Sequence, residues 1–179
     1  PENTRFLPAH GAERDAMSAR PRLLFLVRHG RSDFAAMDAF RDHALGPQWD
    51  PPLDVTGREQ AELLARRLLV MPRPAAIYCS PMRRTRETIA PFVAATGVDV
   101  RYDDDLQEVH VGAWEGLTFE EVLAKDPELL RRFRAHEAVW VTGPGAEDPR
   151  DLRARVARAV ARILAAHDGD VLIVCHGQV

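Results

Sequence analysis

The chain has 179 residues, 46% of them apolar, with 24 Lys or Arg against 27 Asp or Glu and a formal net charge of -3. That is enough chain for one domain with its own core, and a pI near 6.2 excludes the global basic field expected of a nucleic-acid or membrane-surface binder. No apolar run approaches a membrane span and no signal peptide is visible. Cys79 and Cys175 each close an apolar run, which reads as two buried thiols in a reducing compartment, so the expected location is the cytoplasm. Residues 1–16 lack periodicity and precede an ordinary start at Met17-Ser18-Ala19; they read as a tag remnant or extension, and 17–179 as a single domain. The chain stops just past a strand at Val179, where the expectation is that C-terminal elements of the domain are missing.

Leu23-Leu24-Phe25-Leu26-Val27 is wholly apolar and β-branched at its end, the pattern of a strand buried on both faces. Gly30 lets the backbone turn sharply as it leaves. Residues 31–52 form a long functional loop with a short helix of its own, and Asp50-Pro51-Pro52 ends it. A helix then runs to about Leu69, with Ala61, Leu64, Ala65 and Leu68 on one face. A second strand covers 75–79, and Ser80 as N-cap with Pro81 at the first helical position starts a helix to about Ala95 that ends at Gly97. Residues 98–102 alternate as a more exposed third strand. Thr118 to Glu121 is a capping box, Asp126-Pro127 opens another helix, and Asp148-Pro149 opens the last, with Leu152, Val156, Val160 and Ile163 toward the core. Residues 171–175 form a fourth apolar strand before His176-Gly177. Strands alternating with helices imply an α/β fold: a three-layer sandwich with a mainly parallel central sheet flanked by helices on both faces.

Two buried strands therefore end in His-Gly, as Arg28-His29-Gly30 and as Cys175-His176-Gly177, and arginines 83, 84 and 86 follow a third strand. In a parallel sheet all three ends lie at one edge, where open α/β sheets bind ligands. Guanidinium forks beside an imidazole suit a phosphoryl group.

These residues carry a family resemblance. RHG with Ser32 after it, then DPPLDVTG, SPMRRTRET, QEVHVGAWEGLT, PGAED and VLIVCHG occur in order, and the chain so resembles the histidine phosphatase superfamily, in its phosphoglycerate mutase-like branch. The resemblance implies that His29 is the nucleophile that becomes phosphohistidine and that Arg28 and Arg84 hold the phosphate oxygens. It further implies that His176 is the second histidine of the pocket and Glu108 the general acid. Arg83 and Arg86 are neighbouring candidates for the role given to Arg84. His29 must attack as neutral imidazole, with one nitrogen fixed by a partner such as a backbone carbonyl. His176, protonated beside the anion, adds a donor, and Glu108 donates to the leaving alkoxide, then activates water. The arginines and histidine supply the positive charge, so neither metal nor cofactor is expected.

Where many relatives have an asparagine six residues after the nucleophile, this chain has Ala35, and Arg31 replaces a common Glu or Gln; the missing pocket hydrogen bond is expected from Arg31, Ser32 or Gln178. The mutases' long insertion after Gly116 has no counterpart here. The expected activity is hydrolysis of a phosphomonoester, a small phosphorylated metabolite, by a metal-independent enzyme. The alternatives are a phosphoglycerate-type mutase and, in another class, a non-catalytic binder of phosphorylated ligands or proteins. Relatives make a homodimer an expectation. Residues 31–52 and 125–145 are expected at the rim, His110 at the pocket mouth, and Trp114 in packing. Arg155, Arg158 and Arg162 share one helix face opposite the core, with Asp151 four residues before Arg155, and read as a solvated face.

Overall fold

A computed structural model describes residues 21–33, 50–135, 143–177 and 179 of the chain. Among them, β1 (Leu24–Arg28), β2 (Ala76–Cys79), β3 (Arg101–Tyr102) and β4 (Val171–Cys175) form a four-stranded sheet in the order β1-β4-β2-β3. Every pairing is parallel, with Arg28 level with Cys175 and Cys79 level with Val174. The carboxyl ends of β1, β4 and β2 thus lie side by side, which is what the sequence pattern requires of a common site.

Helices α1 (Val55–Leu69) and α2 (Arg83–Thr96) cover one face of the sheet. Ala65, Leu68, Ile89 and Phe92 pack there on Ile77, Cys79, Leu172 and Val174. Helix α5 (Pro149–Ala165) covers the other, with Ala159 and Ile163 against Val171, Ile173 and Cys175. Helices α3 (Phe119–Lys125) and α4 (Pro127–Arg134) join the loop before them in a third cluster, where Val109, Val111 and Trp114 meet Val122, Leu129 and Leu152. At about 1.5–3 kcal/mol for each large apolar side chain buried, that cluster anchors the loop carrying Glu108. Trp114 is 7% exposed and packs there as expected. Among the described residues no helix is long and apolar enough to cross a membrane.

Several local expectations change. Among the described residues β1 ends the sheet order, and Leu26 on it is 64% exposed. β4, with the same apolar pattern, is buried at every position because it has a neighbour on each side. α2 begins at Arg83 with Met82 as N-cap, two residues later than an N-cap at Ser80 would start it. The third strand shrinks to two residues, since only Arg101 and Tyr102 find partners on β2. The capping box expected at Thr118 holds, with Thr118 and Glu121 exchanging bonds at the start of α3, and Asp148 caps α5 as expected by accepting from Arg150 N.

Gly30 acts through close packing rather than a left-handed turn. A Cβ on it would lie 2.7 Å from the Gly57 carbonyl oxygen, and one on Gly57 would lie 2.0 Å from the Arg31 oxygen. The strand end bearing the histidine is thereby pressed onto the first turn of α1. Asp54, the N-cap of α1, accepts from Gly57 N at 2.6 Å and fixes that turn.

Candidate active site

His29 continues the ladder beyond β1, its N–H bonded to the Cys175 oxygen at 3.1 Å. Its Nδ1–H donates to the Gly30 carbonyl at 2.7 Å, so Nε2 is the nitrogen left with a lone pair. Behind the ring, Ser32 Oγ lies 3.5 Å from Nδ1, and Gly30 N donates to Thr88 Oγ1 at 2.9 Å. Burial, with the Arg84 and Arg28 charges adding to it, lowers the His29 pKa to about 4 despite the Gly30 hydrogen bond. The ring is neutral at pH 7, as a nitrogen nucleophile must be.

His176, at the tip of β4, is 4% exposed. The two histidine rings have centroids 5.3 Å apart and are tilted by 59°, close enough for one tetrahedral anion to meet both. Its Nε2 is 2.8 Å from Ser80 Oγ, while Nδ1 is buried with no hydrogen-bond partner among the described residues. Ser80 is itself fully buried, its N–H bonded to the Val174 oxygen at 2.9 Å. Met82 N, 3.5 Å away, donates to the same Oγ. Burial first, then the Arg84, His29, Arg155 and Arg28 charges, lowers the His176 pKa to about 2. In the protein alone the ring is therefore neutral at pH 7. A serine proton given to Nε2 leaves Nδ1 as the N–H donor.

Arg84 is 3% exposed, and its charge reaches both histidines as well as Glu108 and Glu115. Its neighbours go elsewhere: Arg83 pairs with Glu87 at 2.6 Å on the surface, and Arg86 stacks over Tyr102. Among the three arginines, Arg84 is the one turned to the histidines. Arg28 passes beside Gly177, where a Cβ would meet its Nε at 3.3 Å. Glu108, 9% exposed, accepts from Gly177 N through Oε2 at 3.2 Å and from Val109 N through Oε1 at 3.0 Å. The carboxylate is thus tied to the backbone step after His176.

The structure does not bring Arg31 to this group. Its guanidinium is ion-paired with Asp54 and largely exposed, drawn off by the N-cap carboxylate of α1. Ser32 stays as expected near His29, whereas Gln178, Ala35 and the rim segments 34–49 and 136–142 lie outside the described residues. The ring of His110 accepts from Gly112 N at 2.9 Å. Arg155 is not part of a solvated face: its side chain is 15% exposed, pairs with Glu147 at 2.6 Å and donates to the Asp105 and Glu108 carbonyls at 2.7 and 3.3 Å. Helical periodicity alone does not reveal these partners, which lie in the loops before the helix. Ser80 is the functional residue the sequence hid, because Ser-Pro also reads as a helix start. Among the described residues no cluster of His, Cys, Asp or Glu is arranged to hold a metal ion.

Two imidazole rings, two guanidinium groups and a carboxyl group thus gather at one sheet edge, the kinds of group that phosphoryl transfer calls for. A family model described as histidine phosphatase superfamily (branch 1) matches residues 24–179. The bifunctional protein Rv2228c of Mycobacterium tuberculosis is 36% identical over 157 residues, 87% of this chain and 41% of that protein. The chain therefore spans about two fifths of that relative's length. A glucosyl-3-phosphoglycerate phosphatase of Mycobacterium tuberculosis is 32% identical over 167 residues, 88% of this chain and 71% of that one. The solved structure of a mycobacterial glucosyl-3-phosphoglycerate phosphatase complexed with VO3 aligns with a TM-score of 0.74 at 31% identity, covering 88% of this chain and 77% of that one. The chain belongs to the histidine phosphatase superfamily, branch 1.

Proposed function

We propose that this chain hydrolyses a phosphate monoester of a small metabolite through a phosphohistidine at His29, without a metal. The observation carrying this reading is the paired rings, 5.3 Å apart, one with its Nδ1 proton committed to the Gly30 carbonyl and Nε2 bare. In the first step Nε2 attacks phosphorus in line with the ester oxygen; the N–P bond forms as the P–O bond breaks. Glu108 gives its proton to the departing alkoxide. Arg28, Arg84 and the His176 Nδ1–H hold the equatorial oxygens, where donors stabilise the transition state most. In the second step Glu108 takes a proton from water, whose oxygen attacks phosphorus and breaks the N–P bond. Phosphate leaves and His29 is again neutral.

The short link from Gly116 to the Thr118 cap of α3 favours hydrolysis over isomerisation, since it offers nothing to close over the phosphoenzyme. The relatives' printed activity puts glucosyl-3-phosphoglycerate among the esters to test, beside simpler sugar and acid phosphates. The test is a phosphomonoester panel on the wild type and His29→Ala, with alkaline quench and mass spectrometry to trap the phosphorylated residue. The expected result is phosphate release and a phosphoryl group on residue 29 in the wild type alone. Equal turnover by His29→Ala removes the mechanism.

A further inference from the structure

Resting on the reading of the site as a phosphate cup, we propose that Asp50 is the cup's built-in counter-anion: it holds Arg84 and yields it to an arriving phosphoryl group, which limits how tightly the cup keeps inorganic phosphate. The carboxylate bridges two groups. Oδ2 accepts from Arg83 N at 2.6 Å, at the start of α2, and Oδ1 lies 3.7 Å from Arg84 Nη1. The first contact replaces a cap the helix lacks, since the Met82 side chain offers no acceptor there. It also fixes where the charge sits. The Asp50 side chain is 40% exposed and that of Arg84 is 4% exposed, so the carboxylate stands on the outer side of a buried guanidinium.

A guanidinium binds carboxylate and phosphate oxygens through the same planar donors. An incoming dianion therefore competes with Asp50 for Arg84 and meets a negative charge that the Arg83 bond keeps from swinging away. The interaction lowers affinity for the substrate's phosphoryl group and for the product alike. A hydrolase gains from this only after the second step, when phosphate has to leave. The mechanism needs no movement of the backbone, only exchange of one anion for another on Nη1.

Asp50→Asn separates the two contacts, because its amide oxygen still accepts from Arg83 N while the charge is gone. The expected result is an inhibition constant for inorganic phosphate, and a dissociation constant for vanadate, about twofold to fivefold lower than in the wild type, the range of a half-exposed ion pair. The gain shrinks as salt is raised. Asp50→Ala tightens phosphate in the same direction but also lowers the melting temperature, having lost the helix cap. Unchanged or weaker phosphate binding in Asp50→Asn overturns the proposal and leaves Asp50 a cap alone. Failure of the wild type to bind vanadate or phosphate removes the phosphatase reading and this inference together, so the two failures are distinct.

Discussion

His29 and His176 share one anion-sized space and are fixed in opposite senses. His29 spends Nδ1–H on a carbonyl and keeps Nε2 bare; His176 spends Nε2 on a hydroxyl and keeps Nδ1. In the proposed mechanism this asymmetry gives one ring the role of nucleophile and the other that of donor, and it rests on Ser80. Ser80→Ala leaves both His176 nitrogens without a protein partner among the described residues, a loss of order 1–3 kcal/mol. We expect kcat/KM to fall about tenfold or more, while Ser80→Thr, which keeps the hydroxyl, recovers most of it. A purely packing role for Ser80 would instead let alanine match threonine in kcat/KM, with only the melting temperature changed. His29 and His176 were legible because each directly follows an apolar strand, while Arg84 and Glu108 came from the family resemblance alone. Ser80 was not: a hydroxyl beside backbone N–H groups has the same local chemistry whether it caps a helix or holds a ring, and only β4 beside it decides. Arg31 misled for the related reason that its partner Asp54 lies 23 residues away.

At the level of elements, His29 is positioned by a glycine-on-glycine contact between the end of β1 and α1. Gly57→Ala places a methyl group 2.0 Å from the Arg31 carbonyl, and backbone cannot yield as a side chain can. The expected outcome is a loss of about 2–3 kcal/mol in denaturant unfolding, with residual folded protein showing a lowered kcat because His29 has shifted. Arg155 does a comparable job for Glu108, tying α5 to the 103–118 loop through Glu147 and two carbonyls. Arg155→Ala is expected to cost about 2 kcal/mol and to lower kcat more than it raises KM, since the acid and not the phosphate cradle is loosened. Arg155→Lys, with a single ammonium in place of the fork, recovers little. Element order and parallel pairing followed from the alternation of apolar runs with amphipathic helices. Lateral position did not: β1 and β4 carry similar apolar runs, yet among the described strands β4 alone of the two has a neighbour on each side, and no intrastrand pattern encodes a neighbour.

For the molecule as a whole, the buried rings couple the site to stability. Both histidines have an ordinary value near 6.5 in the unfolded chain, and the fold lowers them to about 4 and about 2. Between those values and 6.5 the unfolded chain binds more protons than the folded one, so stability falls as pH drops through that window. A melting temperature that declines from about pH 7 to about pH 5, less steeply in His176→Asn, is the expected result; a decline of equal slope in the variant would remove His176 as a source. The parallel sheet has a further consequence, set by the place of β4 between β1 and β2. The last strand of the described chain is the wedge on which both earlier ones hang, since β1 and β2 make no ladder with each other. A ribosome that has not yet released residues 171–177 holds a nascent chain with His29 already made but no second imidazole, no partner ring for Ser80 and no backbone N–H for Glu108. On the proposed mechanism, phosphate release is expected only once translation has passed β4, and a chain arrested short of it is expected to be inactive by topology alone.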